Sequence, residues 1–424
     1  MKEELLHFVW RLRRFNHQEL FTTEGESLEI LQVGTLNHHA GPDFSDARLR
    51  IGDTFWAGNV EMHLLASDWH RHQHEEDASY DNVILHVVLE EDQPIFRKSG
   101  ERIPCLELKQ RIPSGLSAKY LRLQHNEHWI PCQHQFYQVP EITRNLWLDR
   151  LLVERLEQRT ESLQERLKWN RFDWEETFYQ WLGRSFGVKV NVEPFDHLVR
   201  SLSLHILHKH KNSLFQIEAL LFGQAGLLTE TLEDDYPKRL REEYLFLQKK
   251  YHLTPMLGNS WKFLRMRPAN FPSIRIAQFA TLIYQSVHLL SKVLAVQNVT
   301  EVENMLEVQL SNYWQTHYLF DRASAKRKKR LGKNAVHLLI INTIVPFLFF
   351  YGNHKGDQTY KDLAMQLLEE LRPECNNVIK KWETLGVSPQ SAYQSQALLQ
   401  LKNEYCNAQK CLQCAVGSAV LTEN

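Results

Sequence analysis

"AGPDFSDARLRIGDTFWAGNVEMH", Ala40 to His63, is the stretch whose reading decides the fold. Two runs alternating apolar and polar residues, "DARLRIG" and "FWAGNVEMH", are expected to pair as a β-hairpin. Asp43 stands directly after Gly41-Pro42, and Glu61 lies inside the second run. Carboxylates are poor strand formers, yet the hairpin brings these two toward the same end. Converging there, they repel unless a cation lies between them, and hard oxygen ligands of this kind suit Mg²⁺ or Mn²⁺. His63 follows Glu61 by two positions, so on a strand the two share a face.

Outward from the hairpin the chain divides in two. "MKEELLHFVWRLRRF" at the start reads as an amphipathic helix, lacking the apolar core and cleavage site of a secretory signal. The runs "SLEILQVG", "NVILHVVLE" and "IPCLELK" add strands separated by Gly, Pro and Asp turns. After "RIPSG" (Arg111 to Gly115) the strand pattern thins. From Ile142 apolar residues recur three and four apart, as in "RNLWLDRLLVERLEQRTESLQERL", which is helical spacing. The expected fold is α+β, with an α/β domain over residues 1–115 and a mostly helical domain over 116–424.

The chain has 424 residues, 43% hydrophobic and 24% charged, enough to bury a sizeable core. A net charge of -1 argues against wholesale coating of nucleic acid, although a local basic groove remains compatible with it. The one strongly basic run is "RASAKRKKRLGK", Arg322 to Lys333, a solvated loop or a nucleic-acid contact. The most apolar stretch, "AVHLLIINTIVPFLFFYG", is broken by Asn342 and Pro346 and is short for a membrane span, so it is expected to be a buried helix. A cytoplasmic protein without membrane contact is expected.

The order helix, strand, Pro42-Asp43 at a strand start, hairpin, Glu61-x-His63 and a further strand resembles the PD-(D/E)XK, or restriction-endonuclease-like, nuclease superfamily. The resemblance covers about residues 1–112. It implies that Asp43 and Glu61 bind the divalent ion and that His63 orients the attacking water, with nucleic acid, DNA or RNA, as the partner. In that superfamily a lysine stands where His63 does here. Histidine is mostly neutral at pH 7 and itself ligates metals, so either another residue supplies the lost cation or the site is altered. The alternative from a different class is a nucleic-acid-binding or structural interaction protein that keeps the fold without turnover. The GPDF, GNVE-x-H and YxNVILHVV segments also look similar to an uncharacterised bacterial protein family, which implies no activity.

Downstream, "SDWHRHQHEEDASYDNVILHVV" carries His70, His72 and His74, which would line one face if extended, as Zn²⁺ ligands or a phosphate-facing cluster, with His70 the preferred member. The plain alternative is a polar loop. His86 and Trp69 read as core residues. His38-His39 lie close enough in sequence to join the site, Glu4 and Glu19 are candidates for a helix acid, and Arg48 or Arg50 are the partners Asp43 and Glu61 would take if they were simple surface carboxylates.

Six cysteines are present. Cys105 and Cys132 are isolated, whereas "CNAQKCLQC" gives C-x4-C-x2-C through Cys406, Cys411 and Cys414, with Cys375 upstream as the expected fourth ligand. In a cytosolic chain such a cluster reads as metal binding before disulfides. Four thiolates suit zinc or an iron–sulfur cluster, and the spacing does not separate these. The expected role is a structural staple for the C-terminal tail.

Overall fold

A computed structural model describes every residue except His38, Val287, Glu423 and Asn424. The protein is a mixed α+β chain of two compact units: Met1–Trp147 joined by the chain from Leu401 onward, and Leu148–Gln400.

The first unit is built on the hairpin. Helix α1 (Glu3–Arg11) buries Leu5, Leu6, Phe8, Val9 and Trp10, with Glu3 and Glu4 in its first turn and Arg11 in its last. Those charges complement the helix dipole. Strands β1 (Leu28–Gln32), β2 (Thr35–Leu36), β3 (Phe44–Ile51), β4 (Thr54–Leu65), β5 (Val83–Glu90) and β6 (Cys105–Glu107) form one sheet. Its path runs β1-β3-β4-β5-β6, with β2 paired to β3. Strands β1, β3 and β4 are antiparallel neighbours, whereas β4–β5 and β5–β6 are parallel. Helix α1 packs on β4.

Two local features fix the hairpin. Ile51 pairs with Thr54, leaving Gly52-Asp53 as a two-residue turn, and Gly52 takes φ +56°. Positive φ at the first turn position is the type II′ requirement, which glycine meets without strain. At the other end the register shifts between Phe44 and Ala47, and Asp46 adopts φ +59°. Such a bulge re-aims a strand end, here the end that carries Asp43. Between them, Gly58 lets β4 approach β5: a Cβ at that position would lie 2.6 Å from Ile84 Cγ2 and 2.7 Å from the Asn82 carbonyl.

Strand β5 is buried along six consecutive residues, Val83 to Val88, the pattern of a parallel strand covered on both faces. Between β4 and β5 the chain forms helix α2 (Asp68–Arg71) and two single 3₁₀ turns, His74–Glu76 and Ala78–Tyr80.

The expected boundary at residue 115 falls elsewhere. Helix α3 (Leu116–His125) and the turns up to Trp147 belong to the first unit, as does the tail from Leu401. Gln124 and Gln409 exchange reciprocal 2.9 Å bonds from side-chain amide to backbone carbonyl, and α3 packs on the final helix, Ala415–Thr422. Contacts this distant in sequence leave no mark on local patterning.

The second unit is helical, with a core that includes Phe178, Phe186, Phe222, Phe279, Trp314 and Phe347. Helix α4 (Glu141–Trp169) runs across the division between the units. One described helical stretch, Lys333–Lys355, is long and apolar enough to cross a membrane, and most of it is buried. Pro346 has no N–H for the Asn342 carbonyl, and the helix widens into a π turn over Ile340–Ile344. The basic run is partly folded in. Lys329 is buried and donates to the Trp314 carbonyl at 2.6 Å, Arg330 pairs with Glu307 at 2.6 Å and Lys333 with Glu303 at 3.3 Å.

Candidate active site and thiol cluster

Asp43 and Glu61 meet as the hairpin requires. The Asp43 backbone N–H donates to Glu61 Oε2 at 3.0 Å, and the Met62 N–H donates to Asp43 Oδ2 at 3.1 Å. Each carboxylate is therefore fixed by the strand that carries the other. The alternative pairing with arginine does not occur at Arg50, which binds Glu29 at 2.5 Å and lies over the Phe55 ring.

Helix α1 completes one side of the site. His7 Nε2 lies 3.1 Å from Asp43 Oδ2, and Glu3, one helical turn earlier, contributes a carboxylate oxygen. Ligand atoms of Glu3, His7 and Asp43 all fall within 4.8 Å of one another. The helix carboxylate beside Asp43 is that of Glu3. Glu4 is exposed and accepts a long 3.5 Å bond from the Tyr120 hydroxyl, and Glu19 is exposed in a left-handed turn at φ +48°. A Glu and a His four apart on a helix face were the available signal. His39 is exposed, its N–H bonded to Asn37 Oδ1 at 2.9 Å, and His38 lies outside the described residues.

Imidazoles form the other side. His63 Nε2 stands 3.5 Å from Glu61 Oε1, 3.2 Å from His72 Nδ1 and 3.3 Å from His74 Nε2, while His74 Nε2 is 3.2 Å from Glu61 Oε1. Behind them His63 Nδ1 meets His86 Nε2 at 2.9 Å. His86 is therefore not only a core residue, because it holds the ring of His63.

His70, the expected leading member, points away: it is exposed and bonds Glu75 Oε1 at 3.1 Å. The reason is backbone geometry. Residues 68–71 are helical rather than extended, so positions two apart diverge by about 200° around the axis. Gln73 then reverses the chain at φ +61°, turning His72 and His74 back over β4.

Burial sets the electrostatics. It drives the Glu61 carboxyl up to about 7, with the Asp43 charge adding and the His74 hydrogen bond opposing. It holds His63 down at about 2 and His86 at about 3, helped by the charge of neighbouring imidazoles. These rings stay neutral, the form that ligates metals. Burial also pulls His7 down, but the hydrogen bond and charge of Asp43, with Glu3 and Glu61, more than offset it, and its pKa is raised.

His7 also lines a cleft of about 430 Å³ within the first unit, together with Lys2, Arg11, Gln124, Lys410 and Gln413. One wall is the segment that carries the C-terminal cysteines. Arg11 donates to the Leu412 carbonyl at 3.0 Å across it.

The thiols gather differently from the expectation. Cys375 is an exposed residue of the second unit, whereas Cys406, Cys411 and Cys414 belong to the first and share their surroundings with Cys132. Burial pushes Cys132 and Cys411 up to about 12 and raises Cys406, and the neighbouring thiols reinforce each rise. Hydrogen bonds from the Val416 and Gly417 amides and the Trp147 side chain oppose the rise at Cys414, which burial nonetheless wins. Trp147 and Tyr405 pack edge to face at 5.2 Å beside them. Cys132 is isolated in the sequence, and only chain closure brings it near the tail.

Fold and site together define a mixed α+β protein with a carboxylate–imidazole cluster at one end of its sheet and a cluster of four thiols within the same unit. The chain belongs to the family described as "Protein of unknown function (DUF2851)", whose model matches residues 3–377. No curated protein and no solved structure matches it.

Proposed function

We propose that this protein is a divalent-metal-dependent phosphodiesterase acting on nucleic acid, with a restriction-endonuclease-like first unit. The observation that carries the reading is the interlocked pair Asp43–Glu61 with Glu3 and His7 beside Asp43, His7 also lining a cleft with Lys2, Glu4, Arg11 and Lys410. The order helix, three antiparallel strands, short helical crossover and parallel strand also fits the resembled superfamily. In this reading Asp43 and Glu61 hold Mg²⁺ or Mn²⁺ with help from Glu3. Lys2, Arg11 and Lys410 bind the phosphate backbone and supply the positive charge that His63, held neutral, does not.

The thiol cluster fits a structural metal in the same unit. Cys132, Cys406, Cys411 and Cys414 would hold zinc or an iron–sulfur cluster and fasten the tail that walls the cleft. The thiols are not among the described groups whose ligand atoms all lie within 4.8 Å. A single zinc with Zn–S bonds of about 2.3 Å draws its sulfurs to roughly 3.8 Å of one another. These four therefore either close on one zinc or hold a larger iron–sulfur group.

A second reading rests on His63: with no lysine and a neutral ring at that position, the unit would bind nucleic acid without cleaving it. Single-stranded DNA, duplex DNA and RNA incubated with Mg²⁺ or Mn²⁺ decide between the two. Cleavage by wild type that Asp43→Ala abolishes is the expected result. Salt-dependent binding with no metal-dependent cleavage of any substrate would establish the second reading instead.

A further inference from the structure

We propose that His63 Nε2, His72 Nδ1, His74 Nε2 and Glu61 Oε1 form a separate site for a zinc-class transition metal ion. The inference goes beyond the function proposed above and shares with it only Glu61. It holds whether or not the protein cleaves nucleic acid.

The geometry carries it. A tetrahedral ion with bonds of about 2.0–2.1 Å to nitrogen and oxygen needs its ligand atoms roughly 3.3–3.4 Å apart. The four separations recorded among these atoms are 3.2, 3.2, 3.3 and 3.5 Å. Hydrogen bonding accounts for only part of the convergence. With the His63 proton on Nδ1 toward His86, one proton on His72 Nδ1 and one on His74 Nε2 serve two of the four separations and leave the other two between lone pairs. A cation satisfies all four lone pairs together.

The donor set also selects the ion. Three imidazoles and one carboxylate suit zinc, cobalt or a similar ion, whereas magnesium prefers oxygen and water. The surroundings are those of a held metal. With the metal on Nε2, His63 carries its proton on Nδ1 and donates it to His86 Nε2, the outer hydrogen bond that orients metal-bound histidines. Tyr80 stacks on His74 with ring centres 3.8 Å apart, and Trp69 meets His74 and His86 edge to face. His72 is exposed, so an ion can enter from that side. Through Oε2, Glu61 reaches the backbone of Asp43, so one carboxylate links the two sites.

The test is equilibrium dialysis of the full-length, chelator-treated protein against Co²⁺ and Zn²⁺, counting equivalents bound. Thiol-bound metal is common to every variant and cancels in the differences. His72→Ala and His74→Ala are each expected to bind one equivalent fewer than wild type at concentrations that saturate wild type. His70→Ala should keep that equivalent, His74→Asp should regain it, adding His74→Ala to Asp43→Ala should still remove one equivalent, and millimolar Mg²⁺ should not displace it. Circular dichroism confirms that each variant is folded. Equal stoichiometry in wild type, His72→Ala and His74→Ala would overturn the site, as would ready displacement by Mg²⁺. Loss of the equivalent from His70→Ala would overturn the assignment of ligands. Absence of nuclease activity with the His72- and His74-dependent equivalent intact would sink the function proposed above and leave this site standing.

Discussion

Glu61 in the sheet and Glu218 in the helical unit are both buried carboxyls pushed up to about 7 by burial, yet their surroundings are opposite. Glu218 is fully enclosed and accepts hydrogen bonds from the hydroxyls of Tyr236 and Ser311. Its neighbours are donors that satisfy it, and it has the character of a closed structural polar cluster. Glu61 accepts the Asp43 N–H at Oε2, whereas its Oε1 shares two imidazole nitrogens, His63 Nε2 and His74 Nε2, that also face each other, with the Asp43 charge beside them. A displaced pKa is therefore common to both places. What separates a candidate reactive site from a structural one is more converging nitrogen and oxygen atoms than there are protons to pair them.

The comparison breaks most sharply on activity. Asp43→Ala and Glu61→Ala are expected to lower metal-dependent cleavage by on the order of 10³-fold, since each removes a ligand of the shared ion. Glu218→Gln should leave the rate within about twofold. Rates measured on folded variants check this, and wild-type cleavage by Asp43→Ala would remove the carboxylate site from the chemistry.

Next in size is His63. Restoring the superfamily's lysine would rescue turnover if His63 only oriented water. Because the ring is enclosed by His72, His74 and His86, His63→Lys instead buries an ammonium among imidazoles. It is expected to lose activity by roughly 10²-fold, as His63→Ala does. Faster cleavage by His63→Lys would show that the imidazole cluster is dispensable.

The thiol cluster offers a stoichiometric test. Cys132→Ser should lower zinc or iron per chain as much as Cys411→Ser does, while Cys375→Ser leaves it unchanged. Elemental analysis of anaerobically purified protein reads this out, and a metal content that depends on Cys375 but not on Cys132 would reverse the assignment.

The smallest effect is on stability. The pKa of Glu218 is raised on folding, so the stability it confers is complete below 4.5 and is lost as pH rises through about 7. Glu218→Gln should therefore unfold at higher denaturant than wild type at pH 8, by about 1–3 kcal/mol, and lose that advantage by pH 5. Denaturation at the two pH values measures it. Equal pH dependence in both proteins would show that the carboxyl does not titrate in this range.

The two regions were unequally legible in sequence. The hairpin could be read because alternation and a two-residue turn are local, and the placement of Asp43, Glu61 and His63 followed from it. Glu3 and His7 carried a readable helical spacing but no link to the strands, since that link is made only by packing of α1 on β4. An extended chain would line up His70, His72 and His74 on one face. The helical turn at 68–71 and the left-handed Gln73 turn the histidines the other way. Cys132 was legible only as an isolated thiol, because its neighbours arrive when the tail returns to the first unit.

The most direct test of the carboxylate site is Mn²⁺ binding to the metal-stripped full-length protein, followed by the loss of the free-ion electron paramagnetic resonance signal. Wild type and Glu218→Gln are expected to take up the ion equally, and Asp43→Ala to bind it at least about tenfold more weakly. Equal uptake by wild type and Asp43→Ala would contradict a metal at Asp43 and Glu61.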